Sequence, residues 1–183
     1  DYSPDYRYFT QREYGNRIGI FRIFDLLDRH GVKATVAANA GACERYPNLI
    51  AACLERGYEI AAHGDYQTRM ITSDMEEVDE RHVIERTTEI VEKAVGHRPT
   101  GWLGVDSNES TRTPQLLAEA GYDYQLDWPN DDQPYMMTTD PTLVSVPNQM
   151  EWDDVNALWI RHVPNPRYPG LIGEAFRTLH AEG

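Results

Sequence analysis

Helical and strand-like hydrophobic patterns alternate along this chain, and that alternation restricts its fold more than any other feature. Ile20, Phe24 and Leu27, with Ile23 and Leu26, recur at helical spacing after Tyr14-Gly15-Asn16-Arg17, and His30-Gly31 supplies a stop. Val32 to Ala38 then reads as a buried strand of small residues. Pro47 opens a second helix through Leu49, Ile50, Cys53 and Leu54, ending at Gly57, and a short apolar strand from Glu59 to Ala62 follows. Ser73-Asp-Met-Glu76 has the form of a capping box, and the spacing predicts an amphipathic helix from there to Val95, its glutamates and arginines forming a solvated face. Trp102 to Val105 is a strand, Thr113-Pro114 opens a helix ending at Gly121, and Tyr124 to Trp128 and Leu143 to Val146 are two more strands. A last helix spans about Leu171 to Leu179. Residues 1–13 (Tyr2, Tyr6, Tyr8, Phe9) show no period and read as an extended lead-in, and residues 148–168 give no readable pattern.

Alternating helices and strands imply a parallel sheet or barrel covered by helices. Right-handed crossovers would then bring the carboxyl ends of the strands to one face, where α/β proteins bind ligands. The length of 183 residues suits a single domain, 1–183, and 40% apolar with 10% aromatic residues is a globular composition. A formal charge of −13 opposes nucleic acid and anionic membrane as partners, because both require basic patches. No apolar run has the length of a membrane helix, and Asp1-Tyr-Ser-Pro does not read as a signal peptide. Cys43 and Cys53 lie on what reads as one helical segment and are expected to be free, buried thiols, which fits a cytoplasmic setting.

Three polar clusters fall at the expected strand ends: His63-Gly-Asp-Tyr-Gln67, the loop from Trp102 to Glu109, and Asp127-Trp-Pro-Asn-Asp-Asp132. The imidazole of a histidine is the side chain whose unperturbed pKa lies close to neutral pH, so His63 is suited to move protons or polarise a carbonyl; a histidine that merely satisfies a loop hydrogen bond is the plainer alternative. Asp65 is placed to orient His63 or hold a substrate amine, against an ordinary capping role. Gln67 and Arg69 suit hydrogen bonding to an amide or carboxylate. Trp128 offers an apolar pocket wall, with simple core packing as its rival. Asp131 and Asp132 are candidates for substrate or cation binding, or for shaping a turn. Trp102 and Glu109 complete the substrate-binding candidates. No Gly-rich phosphate loop and no Ser-centred nucleophile elbow is present.

Taken together and in order, the segments Tyr14 to Arg22, Gly57 to Gly64, Arg98 to Gly104, Asp127 to Tyr135 and Leu171 to Gly183 resemble the polysaccharide deacetylase (NodB-homology) superfamily, and more narrowly its allantoinase-like branch. The resemblance implies a distorted, partly open (β/α) barrel and hydrolysis of a carbon–nitrogen bond other than a peptide bond. It makes His63 and Asp127 the catalytic candidates, Asp127 orienting a base at a strand end. In metal-dependent members a second histidine stands four positions after the first and both bind a divalent metal; here that position is Gln67. The arginine usual in the third motif is Leu103. Both departures point to the allantoinase-like branch, so no metal and no other cofactor is expected. The acidic first strand and the histidine-bearing last strand of the superfamily are not visible, so the domain is expected to be incomplete at both ends and to cover its open edges as a homo-oligomer.

The resulting expectation is a metal-independent hydrolase opening a cyclic amide or ureide, with a small amide or amino sugar as substrate. The alternatives are a metal-dependent polysaccharide or peptidoglycan N-deacetylase, and a non-catalytic remnant that binds a ligand or partner.

Overall fold

A computed structural model describes residues 5–182. Six strands form one sheet in the order β1-β2-β3-β4-β6-β5. They are β1 (Thr35–Ala38), β2 (Glu59–Ala62), β3 (Gly101–Trp102), β4 (Tyr124–Gln125), β5 (Tyr135–Met136) and β6 (Val144–Ser145). Neighbours from β1 through β4 to β6 are parallel, with Val36 beside Ile60, Ala62 beside Trp102, and Trp102 beside Gln125. Their carboxyl ends therefore share one edge of the sheet, as the alternation of elements requires. The sheet is open among the described residues, with β1 at one margin and β5 at the other. β5 runs antiparallel to β6, through Tyr135 beside Ser145, and was not anticipated.

The helices are α1 (Tyr6–Tyr14), α2 (Ile20–His30), α3 (Ala40–Arg45), α4 (Pro47–Glu55), α5 (Glu77–Val95), α6 (Thr113–Glu119) and α7 (Tyr168–Glu182). Phe24, Ile50, Cys53, Ile60, Val83, Ile84, Val91, Trp102, Leu117 and Leu143 form the buried cluster between helices and sheet. The long helix α5 packs on α3, α4, α6 and β2, so it braces the strands that carry the site.

Four local expectations are corrected. The lead-in is helical: the Asp5 carboxylate accepts from the N–H groups of Arg7 (3.1 Å) and Tyr8 (3.2 Å), capping α1, which continues through a π-helical turn at Gly15–Gly19 into α2. None of α1's residues is buried, so no apolar stripe marks it; Tyr2 lies outside the described residues. Cys43 and Cys53 sit on separate helices, because the chain breaks at Tyr46-Pro47, where proline suits a first helical turn but not a helix interior. Both thiols are free and buried.

The Ser73 to Glu76 segment does not cap α5: the helix begins at Glu77, after Glu76, with no side-chain capping bond. The acidic residues of α5 are also not all on a solvated face. Arg81 pairs outside with Glu77 (2.9 Å) and Glu119 (2.7 Å), but Glu80 is fully buried. Glu80 accepts from the hydroxyls of Ser110 (2.8 and 3.0 Å) and Thr113, and from the Arg112 guanidinium (3.2 and 3.3 Å). A buried carboxylate with this many donors is satisfied, and it fastens the loop before α6 to α5. The unread stretch 148–168 consists of short 3-10 and π-helical turns leading into α7.

Candidate active site

Strands β2 and β4 deliver polar side chains to the shared edge within two positions of their ends, and the loop after β3 runs between them. β2 delivers His63, whose N–H donates to Ala38 of β1 (3.1 Å). The His63 ring is half-buried, and its Nδ1 lies 2.8 Å from the carbonyl oxygen of Leu103, just beyond β3. A carbonyl only accepts, so Nδ1 carries the hydrogen. In the neutral ring Nε2 is then a free lone pair, the form required of a base or a ligand. Gly64 follows at φ +68, and a Cβ there would sit 2.8 Å from the Val105 side chain, so only glycine fits beside His63.

The loop after β3 is built around Gly104. Its N–H donates to both carboxylate oxygens of Asp127, at 2.8 and 2.9 Å, and thereby joins the end of β3 to the end of β4. Leu103 and Gly104 are consecutive, so one loop holds His63 by a carbonyl and Asp127 by an N–H. Asp106 and Ser107 then adopt left-handed backbone (φ 56 and 52), held by Ser107 N–H on Gly104 (3.0 Å) and Asn108 N–H on Val105 (3.1 Å). Such strain costs about 1–3 kcal/mol per residue and is retained where surrounding structure enforces it. It turns the chain so that Glu109, half-buried, accepts from the Trp128 indole N–H at 2.6 Å.

Asp127 is 5% exposed. Burial, and then the neighbouring Glu109 carboxyl, push its pKa up to about 8, partly offset by the Gly104 N–H. Burial raises Glu109 as well, against the hydrogen bonds with Asp127 and Trp128 that favour its ionised form. The carboxyl edge of the sheet thus holds a histidine lone pair and two carboxyls close to one another, the groups needed to move protons around a polar substrate.

The other candidates are placed as follows. Asp65 is 1% exposed and does not orient His63; it pairs with Arg69 and Arg86, each at 3.3 Å. The histidine is oriented instead by Leu103, a main-chain contact that no side-chain pattern discloses. Gln67 and Arg69 are exposed on the loop after His63. The Trp102 side chain is fully buried, packed edge-on against Tyr122, so it is core and does not reach a substrate. Trp128 is 38% exposed and borders a cleft with Tyr135, Met136 and Thr111. Asp131 caps its own turn, accepting from the N–H groups of Asp132 (2.8 Å) and Gln133 (3.2 Å), and both aspartates are exposed.

A metal bound at His63 would need further ligands converging on Nε2. Gln67 is an exposed amide, Asp65 is engaged by two arginines, and among the described residues no three His, Cys, Asp or Glu side chains are gathered closely enough to hold an ion. The described residues therefore do not fit a divalent metal centre.

Comparison with known proteins agrees with this architecture. The chain overlays on the crystal structure of Puue allantoinase with a TM-score of 0.84 and 28% identity, covering 93% of this chain and 57% of that one. A Schizosaccharomyces pombe protein with a provisional polysaccharide deacetylase name is 28% identical over 192 residues, 93% of this chain and 58% of that protein. A Helicobacter pylori peptidoglycan deacetylase is 24% identical over 143 residues, 77% of this chain and 48% of that enzyme. The chain thus spans about half the length of the curated relatives it matches. The polysaccharide deacetylase family model matches residues 14–125, more than half of the sequence and all of β1 through β4. With the parallel sheet, His63 and Asp127 at its carboxyl edge, and this match, the chain belongs to the polysaccharide deacetylase family.

Proposed function

We propose that the site hydrolyses a carbon–nitrogen bond other than a peptide bond and, within that class, opens a cyclic amide or ureide without a metal held by residues 5–182. The observation that carries this reading is the donor set around His63: a lone-pair nitrogen at the strand end, with Gln67 where metal-dependent relatives are expected to place their second histidine. In this reading water attacks the substrate carbonyl, His63 Nε2 takes its proton, and the imidazolium returns it to the departing nitrogen. Proton transfer of this kind contributes about 10²–10⁴-fold. Gln67, Arg69 and the exposed face of Trp128 flank the substrate, and Asp127 holds the Gly104 loop. The likeness to Puue allantoinase across 93% of the chain supports the cyclic substrate.

A second reading, N-deacetylation of an amino sugar, has the Helicobacter pylori peptidoglycan deacetylase in its favour. The two separate by assay. The chain is offered a cyclic ureide such as allantoin, and an N-acetylglucosamine oligomer, each with and without a chelator. Ring opening that survives the chelator supports the proposal; acetate release that needs added metal replaces it with the second reading. We carry forward a cytoplasmic homo-oligomer as part of the same reading; Phe21, Ile23 and Leu26, exposed on α2, support self-association, and light scattering measures it.

A further inference from the structure

Asp127 and Glu109 present an unusual problem for two carboxyls. Their side chains come within hydrogen-bonding reach of each other. Asp127 is almost wholly buried, and its two oxygens share one donor, the Gly104 N–H. Glu109 has one oxygen on the Trp128 indole and the other, Oε1, buried with no donor. Neither makes an ion pair among the described residues, and the arginines of the neighbouring loops have other acidic partners. Arg112 is taken by Glu80, and Arg69 and Arg86 by Asp65. Two adjacent buried carboxylates without a cation cannot both ionise at modest cost.

We propose that Asp127 and Glu109 hold one proton between them and act as a single acid–base unit, with Glu109 setting the protonation of Asp127. The proton supplies the donor that Glu109 Oε1 lacks. The Gly104 N–H holds both Asp127 oxygens and the Trp128 indole holds Glu109 Oε2, so Glu109 Oε1 is the oxygen left to meet the shared proton. The pair carries one negative charge in all, and can accept a second proton or release the first. Glu109 is in this sense a positioning residue, acting through Asp127. Its part in turnover rests on the hydrolase reading; the shared proton does not.

The groups facing the pair are Trp128 on Glu109, the Gly104 N–H on Asp127, and the Glu80 carboxylate, which repels charge on Glu109. The test follows the side-chain carboxyl carbons of Asp127 and Glu109 by ¹³C NMR during a pH titration of the full chain. Wild type should show two coupled steps, each seen at both residues. In Glu109→Gln the Asp127 midpoint should fall by at least about one pH unit, since a coupled neighbour has been replaced by a neutral amide that donates. Trp128→Phe keeps the ring but removes the N–H, and should move the Glu109 step upward; this variant decides the matter if Glu109→Gln fails to fold.

A single ordinary carboxylate titration of Asp127 in wild type, or an Asp127 midpoint unmoved by Glu109→Gln, overturns the proposal. Turnover measured on the same samples separates the two ideas. Coupled titration without hydrolysis of any carbon–nitrogen substrate leaves the pair standing and removes the hydrolase reading. Hydrolysis with independent titrations does the reverse.

Discussion

Replacing Glu80 by alanine should be among the most damaging single substitutions in this chain, although the residue touches no substrate. Its carboxylate is the common acceptor for Ser110, Thr113 and Arg112, all on the segment that follows Glu109. Glu80→Ala removes the carboxylate acceptor of two buried hydroxyls, each loss costing about 1–3 kcal/mol at most, because Ser110 Oγ still accepts from the Arg112 N–H and Thr113 Oγ1 from the Ser110 N–H. It also leaves the Arg112 guanidinium without its counter-ion. Breaking a fully buried pair costs about 3–5 kcal/mol, but the Arg112 side chain is 36% exposed and solvent recovers part of that. These costs overlap because the three donors share one acceptor, so the net loss is about 3–5 kcal/mol. That is a large share of a typical stability of about 5–15 kcal/mol. Urea unfolding followed by circular dichroism measures it, and the melting temperature should fall by about 10 °C. Glu80→Gln keeps the shape and one acceptor oxygen and should lose roughly half as much. An alanine variant within about 0.5 kcal/mol of wild type would refute the reasoning.

Further outcomes follow from the same geometry. Asp127 keeps its proton in the folded chain to about pH 8, whereas the unfolded chain releases it near about 3.9. The folded state then binds more protons across that window, so this group makes stability fall as pH rises through it, by up to about 1.4 kcal/mol per unit. Asp127→Asn should flatten that decline, and an unchanged slope in urea titrations at several pH values contradicts it. Gly64→Ala should cost about 2–4 kcal/mol, from the φ of +68 and the crowding against Val105 together, read as a lowered melting temperature.

The fold was legible in the sequence wherever an element buries one face. α2, α4, α5 and α6, and the strands ending at Ala38 and Ala62, all carry apolar residues at the period their geometry demands. α1 lacks such a stripe because it buries nothing, and its one local mark was the Asp5 cap. β5 pairs through two residues only, too few for alternation to register, and its partner lies across a turn. Trp102 reads as a substrate contact because it stands beside the site in sequence. β3, however, lies inside the sheet between β2 and β4, and its side chain turns into the core.

At the site, His63 and Asp127 were legible as polar residues leaving strand ends. Their partners were not, because Leu103 and Gly104 act through the main chain. Glu109 was named among substrate contacts, but its engagement by Trp128 depends on a backbone turn at Asp106 and Ser107 that residue types do not announce. Glu80 did leave a signal. Glu80, Val83, Ile84, Thr87 and Val91 form a single stripe on α5, and all are buried, so a charge within that stripe marks a buried network rather than a solvated face.

The most direct measurement is kcat/KM for ring opening of a cyclic ureide by the wild-type chain and by His63→Gln, with circular dichroism confirming that both are folded. A polar amide there retains a donor for the Leu103 carbonyl but offers no titrating nitrogen. If His63 moves the proton, wild type turns over and the variant is at least about 100-fold slower. Equal turnover by the two folded proteins would contradict the assignment of the chemistry to His63.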